Sequence, residues 1–291
     1  MRDVLIIGCG DIGGRVARML LEKQAAVTAL VRSEEKAAEL RAAGLATLIG
    51  NLDYGEETPE LPINGATVFY LAPPPGGGFS DYRMINFCRR IAADNRPEKM
   101  VYLSTSGVYG DCGGAVVTEA TPLNPQTSRA KRRVDAERQL QEAARTYGFP
   151  LVILRVTGIY GPNRLPLARL HQGHPVLREE EAPRTNRIHS VDLARICLAA
   201  AEKGAAGDIF NVSDGQESTM TRYFNAVADL YELPRPQQIS REEARQVMNP
   251  LMLSYLNESR RMDNRKLLEK LDIALLYPTL ETGLKACRED P

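Results

Sequence analysis

Gly8, Gly10 and Gly13 fall in the run Gly8-Cys9-Gly10-Asp11-Ile12-Gly13, directly after the apolar stretch Val4–Ile7 and at the start of a helix-like pattern. Three glycines in that spacing at a strand-to-helix junction suit one chemistry, a main chain laid against a diphosphate. The first permits a tight turn, the second lets the backbone come close to the ligand, and the third lets helix and strand pack together. The first helical turn, with Asp11 and Ile12 in it, then offers free N–H groups and a partial positive charge to the phosphates. A glycine-rich turn with no ligand is the plainer alternative. The strand before it and the helix after it favour a dinucleotide site.

The end of the next apolar run bears on which dinucleotide. A site for NAD places an acid there for the ribose 2′-hydroxyl. The run here closes Ala29-Leu30-Val31-Arg32-Ser33, with no acid before Glu34. Arg32 and Ser33 suit a 2′-phosphate, because a guanidinium holds phosphate through paired, charge-assisted bonds. The expected cofactor is therefore NADP, with NAD less favoured. The competing reading leaves Arg32 in solvent and makes Glu34 an ordinary helix opener.

Other reactive side chains give weaker signals. His189 precedes Ser190-Val191-Asp192 and reads as the approach to a helix, with Ser190 as cap and Asp192 in the first turn. His171 and His174 lack further ligands at a consistent spacing and read as surface residues, so no metal site is expected. Cys112 has no histidine near it in sequence to activate it. Arg129, Lys131, Arg132, Arg133 and Arg138 give one helix a basic side, interleaved with Asp135, Glu137 and Glu142. Most such runs are solvated faces, although part of this one could meet an anionic substrate.

The elements that must position these groups follow from periodicity. Strand-like runs occur at Val4–Ile7, Val27–Val31, Ala46–Ile49, Thr67–Leu71, Met100–Ser104 and Leu151–Val156. Helical patterns occupy Ile12–Lys23, Glu34–Ala43, Tyr82–Asp94 and Lys131–Tyr147 between them. Wholly apolar strands alternating with amphipathic helices imply an α/β, doubly wound parallel sheet covered on both faces. The proline- and glycine-rich stretch 73–78 follows a strand, where ligands of such sheets bind. After Gly161-Pro162 the rhythm changes. The expected organisation is a dinucleotide-binding domain over 1–162 that also receives 189–215. Residues 163–188 and 216–291 then form a smaller, mostly helical substrate-side lobe.

Charge and length exclude several classes. The 37 Lys+Arg balance 37 Asp+Glu over 291 residues, so no global field draws in nucleic acid. No stretch reaches the roughly 18 consecutive apolar residues a membrane span needs, and the apolar start is too short for a signal-peptide core. Five scattered cysteines without a CxxC pair make a disulfide framework unexpected. The cytoplasm is the expected compartment, a small molecule the expected partner, and a subunit contact through the amphipathic tail (a homodimer) an open option.

With the glycines in place, longer motifs line up. Val101-Tyr102-Leu103-Ser104-Thr105-Ser106-Gly107-Val108-Tyr109-Gly110, Leu154-Arg155-Val156-Thr157-Gly158-Ile159-Tyr160-Gly161-Pro162, Arg187-Ile188-His189-Ser190-Val191-Asp192-Leu193-Ala194 and Phe210-Asn211-Val212-Ser213-Asp214-Gly215 resemble, in order, segments of the extended short-chain dehydrogenases and sugar-nucleotide epimerases. The chain resembles an atypical, NAD-dependent epimerase/dehydratase-like subgroup over roughly residues 1–215. The resemblance implies that Asn51 and Leu52 flank an adenine and that Leu71, Ala72 and Pro73 pass the cofactor. It implies a Ser/Thr that hydrogen-bonds substrate at Thr105, and it makes Lys131 the candidate for the lysine that binds the nicotinamide ribose. Two departures stand out. Ile7 occupies the place of that family's usual first glycine. Thr127 stands four residues before Lys131, where the family has a tyrosine; a slip of two residues would instead set Arg129 in the tyrosine's place and Arg133 in the lysine's. Tyrosine, helped by a nearby cation, is the proton donor in carbonyl reduction; Tyr109 and Tyr160 are the conceivable substitutes, though each reads more simply as packing. The leading expectation is an NADP-dependent oxidoreductase or epimerase-like enzyme acting on a small polar substrate, with a nucleotide sugar or a simple carbonyl in view. Its rival is a dinucleotide-binding sensor or scaffold without turnover.

Overall fold

The computed structural model describes residues 1–289. Seven parallel strands form its central sheet: β1 (Asp3–Ile7), β2 (Ala26–Val31), β3 (Ala46–Ile49), β4 (Thr67–Tyr70), β5 (Lys99–Thr105), β6 (Leu151–Val156) and β7 (Ile209–Val212). Their spatial order is β7-β6-β5-β4-β1-β2-β3, so the chain starts in the middle and winds outward in both directions. This is the doubly wound, Rossmann-like arrangement, whose ligand crevice lies beyond the carboxyl ends of the strands where the order reverses.

Helices α1 (Asp11–Glu22), α2 (Glu34–Ala42), α3 (Tyr82–Cys88) and α4 (Ser128–Tyr147) join the early strands. The sheet separates two cores. On one side Ile6, Val101 and Leu154 pack with Val16 and Leu20 of α1. On the other, Leu5, Tyr70 and Tyr102 pack with Met84 and Phe87 of α3 and Leu140 of α4. Alternate residues of one strand therefore enter opposite cores, which is why the strands are mostly apolar on both faces.

Beyond β6 follow α5 (Leu167–His171), α6 (Ser190–Lys203), α7 (Met220–Leu230), α8 (Arg241–Val247), α9 (Pro250–Leu256), α10 (Arg265–Leu271) and α11 (Leu280–Glu289). Two-residue and three-residue ribbons tie the excursions together, such as Gly158–Tyr160 alongside Arg187–His189. Leu170, Tyr223, Phe224, Val227 and Leu284 form a separate small core for the lobe. The helix at 265–271 does not join that core: Leu267 and Leu271 are buried with α6 in the first core of the sheet.

Several boundaries shift by a residue or more from the sequence expectations, and three of them bear on the site. The helix expected over Tyr82–Asp94 ends at Cys88. The strand expected to reach Leu71 ends at Tyr70, although the Leu71 N–H still donates to the Ile7 carbonyl at 2.8 Å. The helix expected from Lys131 starts at Ser128, because the Thr127 hydroxyl accepts from the Ala130 N–H at 3.3 Å and caps it.

Candidate active site

The turn after β1 is shaped by its glycines. Gly8 has φ +95°, a left-handed conformation that a side chain resists. A Cβ on Gly13 would stand 2.4 Å from the Gly8 carbonyl oxygen, so helix and turn touch there without a side chain between them. A Cβ on Gly10 would meet nothing within 4 Å. Gly10 thus borders open space. It begins α1 with no side-chain cap, leaving the first-turn amides free.

That space is a cavity of about 620 Å³ along the carboxyl ends of β1, β2 and β4. Gly8, Gly10, Asp11, Ile12, Gly13, Arg32, Ser33, Asn51, Leu52, Leu71, Ala72 and Pro73 all line it, so the residues picked out from sequence for a dinucleotide converge on one wall. Its volume is in the range of cofactor and small-ligand pockets. Cys9 lies in the same turn, and burial pushes its thiol up to about 11, so it stays neutral at physiological pH.

The basic groups of the cavity are distributed at its ends. Arg32, Ser33 and Lys36 cluster after β2. The Ser33 hydroxyl accepts from the Lys36 N–H at 3.3 Å, capping α2 and leaving its own proton to donate. Beside them, Arg83 bonds both oxygens of Asp53 at 2.6 and 2.8 Å and the Pro73 carbonyl at 2.9 Å, bracing the loop after β4. Arg164 crosses from the loop after residue 160 to bond Asp11 at the start of α1, and Asp11 also accepts from Arg15 at 2.7 Å. Burial works to raise the Asp11 pKa, but the two guanidiniums outweigh it and hold the carboxyl below its ordinary value. Arg83, Lys36 and Arg164 were not singled out from sequence; each comes from a separate segment and has no local pattern to announce it.

The α4 register settles where its cations go. Arg133 lines the large cavity and donates to the Leu103 carbonyl at 2.8 Å and the Tyr102 hydroxyl at 3.2 Å. Arg129, one turn earlier, lines a second cavity of about 220 Å³ together with Thr105. Lys131, the residue expected to reach the nicotinamide, is absent from both linings; its ammonium lies 4.7 Å from the centre of the Phe79 ring. The reason is helical geometry. Residues four apart share a face, whereas a residue two along points about 200° away. The two-residue slip allowed from sequence is the register that reaches the cavities.

Thr105 ends β5, and its hydroxyl accepts from the Gly107 N–H at 3.2 Å. Its small cavity is also lined by Thr157, Gly158, Arg184, Asn186, Arg187, Met220, Tyr255, Glu258 and Arg260. These residues were invisible as a group in the sequence because they come from four distant segments. Neither Tyr109 nor Tyr160 lines the cavity. The Tyr109 hydroxyl donates to Asn211 at 2.7 Å, and the Tyr160 hydroxyl bonds the Thr279 carbonyl at 3.3 Å.

The remaining candidates have structural tasks. His189 is 1% exposed, and burial lowers its pKa from 6.5 to about 4. His189 itself, rather than Ser190, caps α6: its Nδ1 accepts from the Val191 N–H at 3.3 Å. Asp192 accepts from the N–H groups of Leu276 and Tyr277, each at 2.8 Å. His171 and His174 are exposed. Cys112 packs with Val108 and Tyr109. No helix among the described residues is long and apolar enough to cross a membrane.

Comparison with known proteins agrees with this geometry. Residues 80–213 match the NAD dependent epimerase/dehydratase family, and residues 4–72 match the TrkA-N domain. dTDP-D-glucose 4,6-dehydratase of Homo sapiens is 27% identical over 139 residues, 45% of this chain and 40% of that protein, so the match spans less than half of the dehydratase. A 4-hydroxy-2-methyl-3-oxo-4-farnesyl-3,4-dihydroquinoline-1-oxide ketoreductase of Stigmatella aurantiaca is 29% identical over 238 residues, covering 74% of this chain and 69% of the relative. Among solved structures, a conserved protein of unknown function from Silicibacter pomeroyi DSS superposes with a TM-score of 0.87 at 29% identity over 100% of this chain and 99% of that one. UDP-glucuronic acid 4-epimerase from Bacillus cereus, solved with NAD, gives 0.76 at 17% identity over 98% and 96%. Residues 80–213 thus match the NAD dependent epimerase/dehydratase family, and the whole chain has the Rossmann-like fold of the epimerase/dehydratase structures.

Proposed function

We propose that the chain is an NADP-dependent oxidoreductase of the epimerase/dehydratase type, holding the dinucleotide in the larger cavity and a small polar substrate in the smaller one. The observation that carries this reading is the convergence of Gly8, Gly10 and Gly13, the bare start of α1 and the basic end of β2 on one cavity. Arg32 and the Ser33 hydroxyl are the groups for a 2′-phosphate, and Asn51 and Leu52 are those for the adenine. Bound there, the nicotinamide would supply or accept hydride.

Around the reacting atoms the chain offers an unusual pair. In the register slipped by two residues, Arg129 and Arg133 take the places of the family's tyrosine and lysine. A guanidinium donates hydrogen bonds but does not release its proton near neutral pH. Arg133 supplies a fixed positive charge beside the cofactor cavity, and Arg129 can stabilise an oxyanion without being its acid. Thr105 orients the substrate oxygen, and the proton comes from another group or from water. The ketoreductase of Stigmatella aurantiaca supports carbonyl reduction over sugar dehydration, since its match covers more of this chain than the dehydratase match does.

The same pair of arginines favours a second reading, a dinucleotide-binding protein without turnover. A screen of carbonyl compounds and nucleotide sugars with NADPH, in the wild type and Thr105→Ala, separates the two. The enzyme reading expects a substrate whose kcat falls about 10²–10³-fold in the variant, the worth of one oxyanion donor, at unchanged affinity for NADPH. Binding of NADPH with no turnover of any compound supports the sensor instead.

A further inference from the structure

The smaller cavity has more positive charge than its own residues can neutralise. Arg129, Arg184, Arg187 and Arg260 line it against a single carboxylate, Glu258. One oxygen of that carboxylate accepts from Arg260 Nη1 at 2.9 Å, and the other is buried with no hydrogen-bond partner among the described residues. Arg187 is the group that needs explaining. It is 7% exposed, its guanidinium carbon lies 3.7 Å from the centre of the Tyr223 ring, and its Nη2 meets the Met220 sulfur at 3.5 Å. Its Nε has no hydrogen-bond partner among the described residues. The ring and the sulfur repay only part of the cost of burying this cation, and the Asp214 carboxylate that acts on it is itself pushed up to about 7 by burial, so the site is left short of a full negative charge.

The cavity is also small. At about 220 Å³ it falls below the roughly 300 Å³ at which pockets for larger ligands begin. Helix α9 closes it: Arg129 Nη1 donates to Ser254 Oγ at 2.9 Å, and its guanidinium lies 4.0 Å over the Tyr255 ring. A further cavity of about 290 Å³, lined by Phe224, Val247 and Leu256 among others, lies beyond Met220, which is the one residue common to both linings.

We infer that the smaller cavity takes the anionic group, carboxylate or phosphate, of a small carbonyl compound, with Arg187 as the buried clamp and Arg184 and Arg260 beside it. The planar fork of each guanidinium pairs with two oxygens of either anion. The anion lies at the Arg187 end and the reacting oxygen at the Thr105 end. The volume suits such a small anion better than a nucleotide sugar. This inference rests on the function proposed above and names the substrate class for that same site.

Calorimetric titration of the full chain with malonate, inorganic phosphate and UDP-glucose, each with and without NADP⁺, provides the test. Saturable binding of malonate or phosphate is expected, weakened tenfold or more in Arg187→Gln, with UDP-glucose binding no tighter than the small anions. The malonate and phosphate arms tell which anion the clamp prefers. Should Arg187→Gln fail to fold, Arg184→Gln, at an exposed position, is expected to weaken the same probe at least threefold. Absence of saturable binding by both small anions, anion binding unchanged in the folded variants, or tighter binding of UDP-glucose overturns the inference. Arginine-dependent anion binding in a chain that does not bind NADP⁺ would leave the anion clamp standing and remove the dinucleotide reading.

Discussion

Arg32 and Gly13 show how much of the site rests on single residues. Gly13 has no freedom to change, since any Cβ would press on the Gly8 carbonyl at 2.4 Å and push α1 away from the turn. Arg32 is exposed, and the proposed function gives it a charge to offer the 2′-phosphate. Replacing it with alanine is expected to weaken NADPH by about 1.5–3 kcal/mol, the value of a hydrogen bond to a charged group, while leaving NADH unchanged. Paired titrations of the two nucleotides check this. Equal weakening of both would mean that Arg32 does not meet a 2′-phosphate. The glycines and Arg32 could be placed together from sequence because each lies within a few residues of its own strand end, where the cavity is. Arg83, Arg164, Arg187 and Arg260 could not, because their positions are set by long-range chain crossings such as the Arg164–Asp11 contact.

At the scale of elements, capping decides two outcomes. The Thr127 cap fixes where α4 begins, and the face the helix buries through Ala130, Val134 and Leu140 turns Arg129 and Arg133, not Lys131, to the cavities. A local signal for this existed in Thr127-Ser128, but it competed with a family pattern that placed a lysine two residues off. Histidine does the same for α6. His189 is buried as its cap, with its pKa lowered from 6.5 to about 4 chiefly by desolvation. Below pH 6.5 the unfolded chain binds a proton that the folded chain refuses. The stability from this residue is therefore complete above pH 6.5 and declines as the pH falls toward 4. The stability difference between wild type and His189→Gln, whose amide oxygen can still cap but does not titrate, is expected to shift against the wild type by about 2 kcal/mol between pH 7 and pH 5. Urea denaturation at the two pH values measures it; a difference independent of pH would show that His189 is protonated freely in the fold.

For the whole molecule, the winding order of the sheet fixes where function can reside. Strands β1 to β6 place their carboxyl ends on one rim, and both cavities lie along it, the larger reaching Leu103 and the smaller Thr105 at the end of the same strand. The excursions after β6 supply Arg184, Arg187, Tyr255 and Arg260 over that rim. The parallel sheet could be read from the alternation of apolar strands and amphipathic helices, because that periodicity is local. The lobe could not be resolved in the same way, since its ribbons are two or three residues long and carry no period of their own. The account as a whole depends on a diphosphate lying against the uncapped start of α1. Isothermal titration of the purified chain with NADPH and with NADH tests this most directly. The expected result is one site per chain with NADPH bound more tightly than NADH, and loss of both in Gly13→Val; no heat of binding from either nucleotide would contradict it.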